Sequence, residues 1–285
     1  MSDDLLDGAG VLVVVPTYDE RDNLVELVER LHAAVPRAEV LVVDDNSPDG
    51  TGELADKLAA DDDRLHVLHR AGKQGLGVAY LAGYSWGLAR DYTAFVQMDA
   101  DLSHLPEQVP DLLRALDGAD LALGTRYMPG GEVVNWPSHR LWLSRGGNAY
   151  TRGLLGLPLR DATGGFRAFR RATLEGLSLH EVASAGYCFQ VDLATRAVRS
   201  GCVVAEVPIT FVERVSGYSK MSGPVVRESL VRVTSWGLTH RARQARDVLL
   251  GHRGRERGWD SDGLRWGCWS RRSSRLPSSC RSARR

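Results

Sequence analysis

The 285-residue sequence has four cysteines, Cys188, Cys202, Cys268 and Cys280, and no CxxC spacing among them. That argues against a zinc framework or a disulfide-stapled scaffold and suits a reducing, cytosolic setting. No apolar run approaches the roughly 18 residues a membrane helix needs; VLVVV at 11–15 is strand-length. Residues 1–10 are short, acidic and glycine-containing, so no secretory leader is expected. The first apolar run is not followed by GxGxxG, which disfavours a nicotinamide-dependent oxidoreductase. An internal repeat is lacking too, and so is a net charge, with 36 basic and 36 acidic residues. That zero conceals a split. Residues 241–285 carry 13 Arg against 4 acids, a net of +9; the remaining 23 basic and 32 acidic residues leave −9 on residues 1–240. An acidic body argues against a nucleic-acid partner.

What is present is an alternation of short β-branched runs with helical patterns. VLVVV (11–15), EVLVVD (39–44), RLHVLHR (64–70), TAFVQMD (93–99) and DLALGT (120–125) read as strands. Helices are expected from about Glu20, where Leu24, Leu27, Val28 and Leu31 keep helical spacing, and then over 51–60, 76–90 and 106–117. Continuous apolar strands between helices imply an α/β fold with a Rossmann-like, mostly parallel sheet flanked by helices. Ligands bind such sheets at the carboxyl ends of the strands, so the chemistry is expected just after Val15, Val43, Met98 and Gly124. The second half is less regular. Helices are expected over 138–156, 187–199 and 225–241, a turn into a short strand at GGFRAFRR (164–171), and a strand at 202–207. Beyond about Gly251 the Arg/Ser/Gly-rich sequence shows no periodicity and reads as disordered.

The strand ends carry the charge. PTYDERDNL (16–24) follows the first strand; Pro16 is expected to stop it, Tyr18 offers a ring for stacking, and Glu20 caps the helix or faces the cleft. VVDDNSPDGT (42–51) places Asp44 and Asp45 at the second strand end, where they suit hydrogen bonds to a base or ribose, or an Asx-turn before a helix cap. GLGVAYLAG (75–83) lacks the dinucleotide spacing and reads as a tight turn into a closely packed helix. FVQMDADLSH (95–104) runs a strand into Asp99 and Asp101, whose carboxylates would share one side of an extended chain. Such hard oxygen donors suit Mg²⁺ or Mn²⁺ bound together with substrate phosphates. Downstream, Arg126, Arg140, Arg214 and Lys220 supply the cations that a diphosphate leaving group and a phosphate acceptor need.

PTYDERDNL, VVDDNSPDGT, MDADLSH, GTRY, GGEVVNWP, GGFRAFRR and FVERVSGYSKM, in that order over roughly residues 10–240, resemble the family-2 glycosyltransferases of GT-A fold. Within them the pattern is most similar to the polyprenyl-phosphate (dolichol-phosphate) mannose synthases. The resemblance implies inverting transfer of mannose from GDP-mannose to a polyprenyl monophosphate. It implies that Pro16, Tyr18, Glu20, Val43 and Asp45 cradle the guanosine, that Ala100 and Asp101 also meet the nucleotide sugar, and that Asp99 and Asp101 hold the metal. Arg126, Arg214 and Lys220 would bind donor phosphates, with 213–220 as a closing loop, and Arg140 and Ser144 would meet the lipid phosphate. Ser103 stands where some relatives place a Gln near the metal. A phosphate monoester, with a second pKa of about 6, is already an anion near neutral pH and needs no general base. The QxxRW motif of polysaccharide synthases is absent, and FQVDLATR (189–196) does not replace it. UDP-glucose or another nucleotide sugar as donor, and a catalytically silent nucleotide-sugar binding module, stay open as alternatives.

The expected organisation is a short arm (1–9), a catalytic domain (10–240) and a basic tail (241–285). With no span of its own, the chain is expected to reach its lipid peripherally at the cytoplasmic face of a membrane, alone or beside a membrane-anchoring partner. Each basic residue near an anionic surface contributes about 1 kcal/mol, so the tail could help it dock.

Overall fold

In VLVVV every side chain is apolar, so the strand has no face to offer water and has to be covered on both sides. A computed structural model describes residues 3–182, 188–213, 230–239 and 241–242 and shows that arrangement. In β1 (Val11–Thr17), Val11, Val13 and Val15 enter one core, together with Leu24, Leu27 and Leu31 of α2 (Arg21–Ala34). Leu12 and Val14 enter a second core on the opposite face, against Tyr80 and Tyr84 of α4 (Leu76–Leu88). Period-two alternation thus sorts one strand's side chains between two helical layers.

The sheet has seven strands, ordered β3 (Leu65–His69), β2 (Glu39–Asp44), β1, β4 (Ala94–Gln97), β7 (Arg167–Arg170), β5 (Leu121–Thr125) and β8 (Val204–Pro208). All neighbours are parallel except β7, which runs antiparallel to both β4 and β5. A second small sheet pairs β6 (Glu132–Val134) with β9 (Thr210–Val212) in parallel. The remaining helices are α1 (Asp3–Leu6), α3 (Thr51–Asp61), α5 (Val109–Ala115), α6 (Ser138–Leu155), α7 (Arg171–Gly176) and α8 (Cys188–Arg199). The short 3₁₀ turn Pro106–Gln108 leads into α5.

Three local expectations change. Pro16 does not stop β1, which stays in register with β2 to Thr17. Val14 accepts from Met98 N, so Pro16, two residues on, turns its donorless nitrogen the same way, past the last β1–β4 pair. The fourth strand ends at Gln97, so a turn rather than a pleat aims Asp99 and Asp101. The strand foreseen at GGFRAFRR inserts into the middle of the sheet. Of the helix expected at 225–241, the described part is helical over 230–239 and at 241–242, and 225–229 lie outside the described residues.

Helix α4 opens at Gly75, with φ of 101°, as the tight turn requires. It then lies close enough to the sheet that a Cβ on Gly83 would stand 2.4 Å from Val14 Cγ1, and one on Gly87 2.5 Å from Phe95 Cε1. Gly83→Val should therefore lower stability by about 1–3 kcal/mol through overpacking, read as a fall in the urea midpoint at unchanged slope.

Candidate active site

The strand ends converge through hydrogen bonds between successive loops. Asp44 accepts from Thr17 Oγ1 (3.1 Å), Ser47 N (3.1 Å) and Ser47 Oγ (2.5 Å), which closes the loop on its carboxylate. Asp49 forms an Asx-turn into α3 by accepting from Thr51 N at 3.0 Å, and Glu20 N donates to Thr51 Oγ1 at 3.1 Å. The β1–α2 and β2–α3 loops are thereby one unit. Asp19, Asn46 and Leu102, one residue in each of three strand-end loops, hold positive φ of 56°, 59° and 57°. Left-handed non-glycine residues concentrated in this way are characteristic of functional loops.

Asp45 is buried and ion-paired with Arg70, a residue the motif reading passed over. Burial raises the Asp45 carboxyl above its usual range, and Arg70 opposes that shift. Lys73, three residues further along the same loop, sits 3.8 Å from the Tyr18 ring centroid. The β3–α4 loop therefore brings two cations to the half of the cleft formed by Tyr18, Glu20 and Asp45. The side chain of Val43 packs in the core under α4 and that of Ala100 in the opposite core, so what each can offer a ligand is main chain. Pro16 is half-buried at the strand end.

The two aspartates differ in setting. The Asp99 side chain is 32 % exposed, accepts from Tyr80 Oη at 3.1 Å, and donates its backbone N–H to His104 Nδ1 at 3.3 Å. Asp101 is buried, and its Oδ1 accepts from Ser103 N (3.2 Å) and Ser103 Oγ (2.5 Å). Ser103 thus orients the carboxylate. Burial pushes the Tyr80 hydroxyl well above its ordinary range, with the Asp99 charge adding to it. Burial also lowers the His104 imidazole, consistent with a neutral ring that accepts at Nδ1. Beneath them a buried polar chain links the strands: Tyr84 Oη donates to Gln97 Oε1 (2.7 Å), and Gln97 Nε2 to the Gly165 carbonyl (2.9 Å). Fully buried Arg167 donates to the carbonyls of Gly164, Gln190 and Ala162 at 2.8–3.0 Å. Burial lowers its pKa to about 10, so it stays cationic at neutral pH.

Arg126 is not at the surface. Its Nε and Nη2 grip Asp161 at 2.7 and 3.0 Å, and Nη2 also reaches Thr163 Oγ1 at 3.1 Å. Asp161 has no exposed surface and accepts Asn148 Nδ2 of α6 at 2.8 Å as well. Burial alone would raise its pKa; Arg126 outweighs this and holds it below the carboxylate norm. Three rings surround the Arg126 guanidinium, Tyr127, Phe211 and Trp136 at 5.1, 5.3 and 5.8 Å. On α6, Arg140 lies over Trp136 at 4.1 Å and donates to Glu213 Oε1 at 2.6 Å, and Ser144 Oγ accepts Tyr127 Oη at 2.7 Å. Contacts run from Arg140 through Trp136 and Phe211 to His104, whose ring lies 5.3 Å from Phe211 and whose Nδ1 is 3.9 Å from Asp99 Oδ2. Ser144 reaches the same rings through Tyr127 and Arg126, so packed side chains link both α6 residues to Asp99.

Arg214 and Lys220, with the loop 214–220, lie outside the described residues. Arg70, Lys73, His104 and Asp161 went unread because each stands outside the quoted acidic and basic pairs. No sequence signal marks Asp161, because the burial that makes Arg126 need a carboxylate arises only in the fold. No group of three or more His, Cys, Asp or Glu able to hold a metal occurs among the described residues. The donor set fits a cation that takes two carboxylates and completes its shell with water and phosphate oxygens, as Mg²⁺ and Mn²⁺ do.

Residues 12–177 match the model of glycosyl transferase family 2. The chain is 57% identical over 240 residues to the polyprenol monophosphomannose synthase of Mycolicibacterium smegmatis, covering 84% of this chain and 91% of that protein. It is 54% identical over 231 residues to the undecaprenyl-phosphate mannosyltransferase of Micrococcus luteus, covering 81% and 95%. Glucosyl-3-phosphoglycerate synthase from Mycobacterium tuberculosis, solved with Mn²⁺, UDP-glucose and phosphoglyceric acid, superposes with a TM-score of 0.62 at 19% identity, covering 83% and 84%. The mannosyltransferase PcManGT from Pyrobaculum calidifontis, solved with GDP-Man and Mn²⁺, superposes at 0.53 and 19%, covering 83% and 65%. These likenesses show the GT-A fold.

Asp161→Ala leaves Arg126 buried without its counter-charge and should cost about 3–5 kcal/mol. Replacing both partners by apolar residues of similar volume should recover most of it, by the same denaturation measurement.

Proposed function

The chain belongs to glycosyl transferase family 2, and from that we propose that it transfers mannose from GDP-mannose to a polyprenyl monophosphate, with inversion at the anomeric carbon. Two relatives above 50% identity carry names of this activity, each covered over nine-tenths of its length. The observation that carries the reading is the continuity just described, from the Asp99/Asp101 pair to Arg140 and Ser144. It fixes the placement, relative to each other, of the groups that a donor diphosphate and an acceptor phosphate would meet.

Tyr18, Glu20 and Asp45 hold the nucleoside, with main-chain groups of Pro16, Val43 and Ala100. Asp99 and Asp101 would hold a divalent cation, which neutralises charge on the departing diphosphate when bound. Ser103 and Tyr80 keep the two carboxylates aimed. Arg126, committed to Asp161, holds the end of β5 behind this site, and Arg214 and Lys220 would supply the cations for the donor phosphates. The acceptor oxygen is already deprotonated near neutral pH, so the chain's task is to position it rather than to remove a proton. Arg140 and Ser144 do that. Arg140 is bonded to Glu213, so an arriving phosphate exchanges places with that carboxylate. Glu213 opens the loop 213–220, and acceptor binding is coupled to it on this reading. Attack from the face opposite the diphosphate gives inversion. The work is done peripherally at the cytoplasmic face; no helix among the described residues is long and apolar enough to cross a membrane.

The test is transfer of label from a panel of nucleotide sugars to a short polyprenyl phosphate, with Mg²⁺ or Mn²⁺. Label should enter the lipid from GDP-mannose alone, and EDTA should abolish it. Transfer from UDP-glucose instead would keep the mechanism and overturn the donor, and no transfer from any donor would leave a binding module. Asp101→Asn keeps the shape that Ser103 recognises and removes the charge. It should lower transfer at least a hundredfold, about 2.7 kcal/mol in the barrier, with the unfolding midpoint little changed.

A further inference from the structure

FQVDLATR (189–196), in the first turns of α8, has no part in the function proposed above, yet it holds a polar group that the fold leaves unsatisfied. Gln190 is 3 % exposed, and neither Oε1 nor Nε2 of its side chain has a hydrogen-bond partner among the described residues. His32, Trp136 and Arg152 each leave one buried nitrogen in that condition, whereas Gln190 leaves both ends of an amide. An unmet amide is costly to bury, and an apolar side chain of the same shape would avoid the cost, so its presence asks for a functional partner. We propose that Gln190 recognises the donor sugar, its amide hydrogen-bonding hydroxyls of the pyranose being transferred. The proposal rests on the reading above that this site moves a nucleotide-linked sugar, and deepens it by naming a residue that reads the sugar.

The position of Gln190 identifies the ligand. Its carbonyl accepts Arg167 Nη1 at 2.8 Å, and Arg167 is paired in the sheet with Gln97, the last residue of β4, and with Leu123 of β5. Gln190 thus stands where the parallel strands finish, the end at which such sheets bind ligands. Along α8 it lines up with Ala194 and Ala197, which pack in the core under α4, so it belongs to the sheet-facing side of the helix. Its two neighbours reach opposite parts of the cleft. The Phe189 ring stacks on Tyr80 at 5.9 Å, and Tyr80 Oη donates to Asp99 Oδ1 at 3.1 Å. Val191 packs with Leu155 of α6 and with Ala162, whose N–H donates to Asn148 of α6 at 3.1 Å. The first turn of α8 therefore lies between the carboxylate pair, proposed to face the donor diphosphate, and the helix of Arg140 and Ser144, proposed to hold the acceptor. On that reading the transferred sugar occupies the interval. The chemistry agrees: a primary amide offers two donors and an acceptor, the complement of adjacent hydroxyls that each donate and accept. A phosphate, which only accepts, would leave Oε1 unmet. The nucleoside side follows β1 and β2, on the far side of β4.

The experiment compares the full chain with Gln190→Met, which keeps the length of the side chain and removes the amide, on GDP-mannose and on monodeoxy GDP-mannose donors. Without ligand, the urea midpoint of Gln190→Met should equal or exceed that of wild type, because an apolar group has replaced an unmet amide. For GDP-mannose, kcat/KM should fall at least a hundredfold. On the monodeoxy donor that lacks the hydroxyl Gln190 reads, wild type should lose a comparable factor, and the two proteins should come within about threefold of each other. Calorimetry follows the same contact without turnover: Gln190→Met should weaken GDP-mannose at least tenfold and leave GDP within about twofold. A lower midpoint with GDP and GDP-mannose weakened alike would overturn the proposal in favour of a packing role, and unchanged kinetics would overturn it in favour of a buried water as the partner. Wild type that transfers every monodeoxy donor within about threefold of GDP-mannose would overturn it whether or not the variant folds. The functional reading fails separately, if wild type moves no mannose to the lipid; the calorimetric comparison then still decides whether Gln190 reads the sugar.

Discussion

The Arg126–Asp161 pair is the contact on which the two halves of the molecule depend. It joins the end of β5 to the segment ahead of GGFR, and Asn148 draws α6 onto the same carboxylate. Two charges this deeply buried are stable only as a pair with satisfied hydrogen bonds, so the contact admits one arrangement of three chain segments. Everything downstream inherits it. The rings of Trp136 and Phe211 stand around the Arg126 guanidinium, and Arg140 lies on Trp136.

A second buried cation does related work without a carboxylate bonded to it among the described contacts. Arg167 closes on three carbonyls and fixes the turn through Gly164 that precedes β7. Gln97 then bonds to Gly165, so the antiparallel insertion of β7 and the end of β4 are locked where Asp99 begins. A Cβ on Gly165 would sit 3.5 Å from Asp99 Oδ2, which leaves that carboxylate's neighbourhood narrow. The sheet's one topological irregularity is thus also the floor of the cleft. Catalysis by placement needs such a floor, because misplacing a reacting group by an ångström is costly.

The cleft has two chemically distinct sides. The side at Tyr18, Glu20 and Asp45, where the nucleoside is proposed to bind, is knitted by side chains that bond within one another's loops, Asp44 with Ser47 and Asp49 with Thr51. The side proposed for the acceptor is built from aromatic rings and arginines, and its Arg140–Glu213 bond, with side chains 29 % and 32 % exposed, is a surface contact of little intrinsic strength. Preformed on one side and exchangeable on the other is a reasonable division for an enzyme that meets a soluble donor and a lipid acceptor.

The residues themselves determined the alternation of strands and helices, the position of the carboxylates at strand ends, and the family motifs. Each follows from local chemistry: period-two burial, turn residues, and acid pairs beside Asn, Ser and Gly. Asp45, Asp99 and Asp101 were legible as strand-end carboxylates for that reason, whereas Arg140 came only with the family motifs. Tertiary structure alone decided the partners. Nothing local to RAGKQG assigns Arg70 to Asp45, nothing in LPLRDATGG assigns Asp161 to Arg126, and nothing in GGFRAFRR places β7 between β4 and β5. Those pairings join residues 25 or more positions apart or choose among sheet neighbours, and they are fixed by which buried charge and which strand edge remain to be satisfied once the chain has closed on itself.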